Sequence, residues 1–254
     1  MPVDAQNDCM TSTLPDNPPT PVQHEPGPPV PGVTLRLAAV TAGLILAVTV
    51  LLFGSVLVLG LTIPAVRSHI VTVLAITDFV HAASVLAVVG VVVGRRRELW
   101  QDLGITRPSR RLLHLLWQIP VAIVILLVVQ VVALLLMGDN GSATDGVSEF
   151  GLGPAPAILL FIGAAVLTPL WEEIFFRGIL FAAVGRKWGM TWAVIGSAVI
   201  FCAVHGVPIL LPYLFTMGLI LALLRLFHRN IWGGLALHMT INAIASSAVL
   251  VALV

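Results

Sequence analysis

The chain has 254 residues, 58% of them hydrophobic and only 10% charged, and its mean hydropathy is +1.04. A soluble domain carries roughly 25% charged residues, so this composition excludes a soluble enzyme and describes a polytopic membrane protein in contact with membrane lipids. The net charge of +1 leaves no footprint for nucleic acid, and Cys9 and Cys202 supply neither a disulfide framework nor a CxxC metal knuckle.

Residues 1–33 hold 9 of the 17 prolines, the acids Asp4, Asp8, Asp16 and Glu25, and no Lys or Arg. Such a stretch cannot bury enough apolar surface to offset its chain entropy, which predicts a disordered Pro-rich tail. It lacks the basic start and short apolar core of a signal peptide. Seven apolar stretches come after it, each near the ~20 residues that cross a bilayer as helix. They run over Leu37–Leu61, Ile70–Val93, Leu112–Met137, Ala155–Val184, Thr191–His205, Ile209–Leu226 and Trp232–Val254. The predicted fold class is all-α: a transmembrane helical bundle of about seven spans, with six or eight if one is re-entrant or split. The fifth span is short, and no internal repeat is evident. Residues 34–150 form the N-terminal helices with a basic segment, and residues 151–254 a C-terminal helical core.

Arg95, Arg96, Arg97, Arg107, Arg110 and Arg111 follow the second span, Arg186 and Lys187 the fourth, and Arg225 and Arg229 end the sixth. If the spans alternate, these connections share one side, which the positive-inside rule makes cytoplasmic. The N-terminus is then expected in the cytoplasm of a plasma-membrane protein. The loop with Asp139, Asp145 and Glu149 falls outside, as does the C-terminus.

Four charges lie inside the apolar spans: Asp78, Glu172, Glu173 and Arg177. Their polar company is His81, His205, His238 and Asn242. A charge at mid-bilayer costs about 2.5–3.5 kcal/mol on insertion scales, so such residues pair, face a polar cavity or do chemistry. Glu173 and Arg177 are four residues apart and share a helix face. Glu172 is turned about 100° away and lacks that cation. Glu173 then reads as structural and Glu172 as the carboxylate suited to general-base work; if Arg177 pairs with Glu172 instead, the roles swap. Phe201 and His205 share a face of the fifth span, and His238 and Asn242 a face of the seventh. Glu172, His205 and His238 can hold Zn²⁺ with an open water position. The same groups also work without metal: Glu172 and His205 polarise water, while His238 and Asn242 donate to an oxyanion. The alternative without chemistry is a structural polar knot between helices.

In chain order, Glu172-Glu173-x-x-x-Arg177, Phe201-x-x-x-His205 and His238-x-x-x-Asn242 resemble the CAAX-processing and bacteriocin-immunity (CPBP, or Abi) family of intramembrane proteases. That family includes the type II CAAX prenyl endopeptidases. The resemblance covers about Pro154 to Val254. The stretch Arg95–Arg111, with Trp100-Gln101-Asp102-Leu103-Gly104, also resembles the cytoplasmic segment upstream of the domain in bacterial members. The resemblance implies an endopeptidase with its site inside the membrane, open to the cytoplasm and acting on a membrane-associated peptide or protein. Glu172 and His205 would activate water, and His238 and Asn242 would stabilise the oxyanion. Both Zn²⁺ and metal-free mechanisms stay open. Prenylated substrates belong to the eukaryotic branch and some archaeal relatives and are not assumed here.

Rival protease chemistries lack their residues. Aspartyl types need two membrane aspartates, and only Asp78 is present. Rhomboid types need Gly-x-Ser beside a histidine. His24-Glu25 is followed by Pro26, so it is no His-Glu-x-x-His helix, and the single Lys187 lies in a loop. A non-enzymatic immunity or scaffold protein remains the alternative; a transporter lacks the repeat symmetry it would need. Among weaker signals, Asp78 and His81, three apart, are expected to bond each other as a structural pair, with a cavity-lining or substrate-gating role as the alternative. Gly90 and Gly94 form a small-xxx-small pattern that either brings helices close or reflects glycine abundance. Cys202 reads as core. Phe161, Phe175, Phe176 and Phe181 read as packing residues, one of which a groove near Glu172 could borrow. His69, His114 and His228 read as interfacial.

Overall fold

The computed structural model describes residues 32–138 and 152–253. Most of the tail expected over residues 1–33, and the acidic loop with Asp139, Asp145 and Glu149, lie outside them. The chain divides into units 1–30 and 31–254, and the described helices all belong to the second. Among the described residues every regular element is a helix.

Helix α1 (Leu35–Thr62) starts at Thr34, whose Oγ1 accepts the Leu37 N–H at 3.2 Å and so satisfies a first-turn donor. The single-turn α2 (Pro64–Ser68) reverses the chain into α3 (Ile70–Gly94), which packs antiparallel on α1. After the basic segment comes α4 (Leu115–Met137). Next, α5 (Pro154–Ile162), α6 (Thr168–Glu172) and α7 (Phe181–Trp188) join through two π-helical stretches, Gly163–Leu167 and Glu173–Leu180. Together they make one 35-residue helix, Pro154–Trp188. The short α8 (Met190–His205) ends at Gly206, left-handed with φ +65°, a conformation glycine adopts without a Cβ clash. Helices α9 (Leu211–His228) and α10 (Trp232–Leu253) complete the bundle.

Six of these helical stretches are long and apolar enough to cross a membrane, and α8 is a seventh, shorter apolar helix. The expected all-α bundle with a short fifth member is therefore present. Its outer surface is built of large apolar side chains: Leu46, Leu51, Leu116 and Leu135 are 62–81% exposed. In water so much exposed hydrocarbon would aggregate; against acyl chains it is already solvated.

The basic stretch after α3 is folded onto the core. Leu99 and Leu103 are buried, and Gly104 turns the chain at φ +73°. Gly104 O accepts the Ile231 N–H at 3.1 Å, and Thr106 O accepts Trp232 Nε1–H at 2.6 Å. Arg225 clips this segment to the core, Nη2 donating to Asp102 O (3.0 Å) and Nε to Arg177 O (3.2 Å).

Among the weaker signals one open alternative is decided and two expectations need correction. Nothing stands within 4 Å of where a Cβ would sit on Gly90 or Gly94, so that pattern marks no helix crossing. The close approaches are at Gly218, whose Cβ would lie 3.0 Å from Ala198 Cα, and at Gly163, where it would lie 2.6 Å from Asp78 Oδ2. Asp78 and His81 do not bond each other: His81 Nε2 pairs with Thr49 Oγ1 at 2.8 Å, and Asp78 Oδ2 has no hydrogen-bond partner among the described residues. His228 is buried at 2% exposure, its Nε2 2.9 Å from Gln118 Oε1, so it is internal rather than interfacial. His69 and His114 are exposed, and Cys202 packs half-buried with its thiol on Leu211 O.

Candidate active site

The local backbone sets the site. Thr168 N–H bonds Gly163 O, five residues back, which is the π register. In that register Ala164 O would be served by residue 169, which is a proline and has no N–H. An unmet carbonyl inside the bundle is costly. Asn242 Nδ2 supplies the missing donor at 3.0 Å. The wide turns thus tie α10 to the helix that carries both glutamates.

Beyond Pro169 the carboxylates part company. Glu173 is fully buried and its Oε1 stands 3.1 Å from Arg177 Nη1, the pairing expected from the four-residue spacing. His238 Nδ1 lies 3.1 Å from the same oxygen. Gly234 leaves room for this: a Cβ there would come within 2.6 Å of Glu173 Oε2. Arg177, equally buried, donates Nη2–H to Gly218 O at 3.3 Å and lies 4.4 Å above the Phe201 ring. Glu172, 6% exposed, makes no pair with Arg177; its Oε2 is 3.4 Å from His238 Nε2. His238 therefore stands between the two glutamates, one ring nitrogen toward each.

His205, at the end of α8, is oriented by its own helix. Its Nδ1 is 2.7 Å from Phe201 O; a carbonyl only accepts, so Nδ1 carries the hydrogen. The neutral ring then presents its lone pair on Nε2. Phe201 packs against His205 (centroids 4.7 Å apart), His238 (5.8 Å) and Phe176 (5.2 Å), so this one ring spaces the motif residues of three helices.

Glu172 and His205 border the same cavity, of about 600 Å³. One wall is the small-residue face of α1, including Ala38, Ala39 and Ala42; Phe175 and Phe176 line the other side, so the groove borrows two of the four phenylalanines considered. Glu173, Arg177, His238 and Asn242 do not border it. Of the six polar motif residues, then, two face the open space, three form a sealed network behind it, and Asn242 braces the π turn. Sequence reasoning missed Thr49 as a wall residue, because an isolated hydroxyl in an apolar span carries no signal. It also missed Gly218 and Gly234, whose roles depend on which helix passes over them.

The donor chemistry suits a metal in one respect. Both imidazoles give Nδ1 to an acceptor and keep Nε2 for other work, as metal-bound histidines do. Yet among the described residues no three His, Cys, Asp or Glu side chains are grouped closely enough to hold an ion. Glu172, His205 and His238 do not converge as one ligand set.

No curated protein and no solved structure matches the chain. Residues 154–244, which contain all seven motif residues, match the family model described as Type II CAAX prenyl endopeptidase Rce1-like, consistent with the CPBP family. By that match the C-terminal segment, with its π-turned glutamate helix, is similar to a family of CAAX-type proteases.

Proposed function

We propose that the chain is an intramembrane endopeptidase that hydrolyses a peptide bond in a membrane-associated peptide or protein. The observation carrying this reading is the division of labour between the carboxylates: Glu173 is consumed by Arg177 and His238, while Glu172 faces the cavity with His205. A water bound between Glu172 and His205 Nε2 would donate one hydrogen to each. Its oxygen attacks the scissile carbonyl carbon, and the proton it loses passes to Glu172. The carbon–nitrogen bond then breaks as that proton is delivered to the leaving nitrogen, giving a carboxylic acid and an amine, which exchange a proton and leave as carboxylate and ammonium. His238 Nε2, 3.4 Å from Glu172 Oε2, is the neighbour able to share the proton meanwhile. Asn242, which gives an amide N–H to Ala164 O and does not border the cavity, supports the reaction by bracing the helix that carries Glu172. The basic segment and the α7 and α9 ends face the cytoplasm in this reading, with the N-terminus on the same side.

The test compares the membrane peptides of cells carrying the native protein and the Glu172→Gln or His205→Ala form. Substrates that accumulate in both variants at normal expression support the reading; full cleavage in both variants overturns it. Metal content before and after a strong chelator, measured on purified protein, decides separately whether Zn²⁺ is taken up. A non-enzymatic immunity or scaffold role predicts that Glu172→Gln lowers the melting temperature without changing protection or partner binding.

A further inference from the structure

The cavity beside Glu172 has a third polar group that this mechanism leaves unused. His81 borders it from α3, with its ring edge-on to Trp171 (centroids 6.2 Å apart) and Phe53 (5.3 Å). Its Nε2 is 2.8 Å from Thr49 Oγ1, and that hydroxyl is also 2.9 Å from Ile45 O. A hydroxyl has one hydrogen and a carbonyl can only accept, so Thr49 gives its hydrogen to Ile45 O and accepts Nε2–H from His81. The neutral imidazole therefore carries its lone pair on Nδ1, which has no partner among the described residues and is not sealed off as His228 Nδ1 is.

The polar side chains bordering the cavity are Thr49, His81, Glu172 and His205, with the indole of Trp171. The Thr49 hydroxyl is committed, and Trp171 Nε1 is buried out of reach. What remains is three acceptors in an apolar wall: Glu172, His205 Nε2 and His81 Nδ1. One water satisfies the first two. The third calls for a donor on the ligand, which a hydrocarbon or ester chain lacks and a polypeptide backbone has at nearly every residue.

We propose that His81 is a substrate-contacting residue whose Nδ1 accepts a backbone amide N–H of the polypeptide held in this cavity, with Thr49 locking the tautomer that makes it possible. The proposal rests on the cavity being the substrate site, but its test does not require cleavage.

The probes are N-decylacetamide and N-decyl-N-methylacetamide, which differ in the presence of the N–H. Their equilibrium binding to the full chain in nanodiscs, corrected with empty nanodiscs, is measured for the native protein and two His81 variants. Asn places a side-chain amide atom where Nδ1 lies, whereas Gln places one where Nε2 lies. The native protein is expected to prefer the secondary amide about 5–10-fold, the scale of one hydrogen bond. His81→Asn keeps the preference, and His81→Gln brings it within about twofold of unity. No preference in the native protein, an undiminished preference in His81→Gln, or its loss in His81→Asn alone overturns the proposal. If His81→Gln does not fold, Thr49→Val serves, since releasing the ring should cut the preference at least threefold and full retention overturns it. An intact preference without proteolysis refutes only the protease reading; a lost preference with proteolysis refutes only the role of His81.

Discussion

Glu172 and Glu173 are neighbours in sequence and opposites in environment. Glu173 is sealed: an arginine, an imidazole and a glycine notch enclose it, and it borders no open space. Glu172 has one loose imidazole contact and a face on the cavity. Burial is nearly equal, so burial does not distinguish them; partners and access do. A buried carboxylate held by a cation and an imidazole resists change, and one with a single long contact is left able to exchange a proton.

Substitutions can break this contrast, and the largest expected effect lies on the open side. Glu172→Gln keeps the shape but removes the proton acceptor, so cleavage of an accumulating substrate should fall at least ~10²–10⁴-fold, the usual span of general-base loss. The melting temperature in detergent should move little. Arg177→Leu works on the sealed side. Stripping one partner from a buried ion pair costs about 3–5 kcal/mol, which should appear as a large loss of melting temperature with activity falling only as folded protein is lost. Gly234→Ala pushes a methyl toward Glu173 Oε2, with overpacking of about 1–3 kcal/mol and a smaller melting shift. Asn242→Leu leaves Ala164 O unmet and should cost about 1–3 kcal/mol, read as earlier hydrogen exchange in residues 163–169. Gly90→Ala is the control: with open space around it and a helix gaining about 0.5–1 kcal/mol from the change, stability should be unchanged or slightly raised.

The bundle was largely legible from the sequence because hydrocarbon is a demanding solvent. Every span had to be an apolar run of a set length, and only α8 broke the rule, visibly. The Glu173–Arg177 pair was legible for a similar reason, since charges in such a medium need a partner within a turn. What escaped depends on which helix lies opposite. Asp78 and His81 had the spacing to bond, yet Thr49 on α1 claimed His81 and Gly163 stands opposite Asp78. His228 looked like an end residue until Gln118 of α4 met it inside. The π turns had two faint marks in the sequence, Gly163 and Pro169, neither meaningful without Asn242 as the replacement donor.

The wide turns of Gly163–Leu167 also fix the arithmetic of the glutamate helix. A π turn fits one more residue into a turn than an α turn does, so it absorbs that residue without passing its phase shift to everything downstream. Wind the same residues as ordinary α-helix, with none removed, and the extra residue adds its own step of rotation. Glu172 would then swing about 100° around the axis, away from the cavity and out of step with His205. The length of α1 could drift by a residue at little cost to this geometry, but the glutamate helix must keep its count.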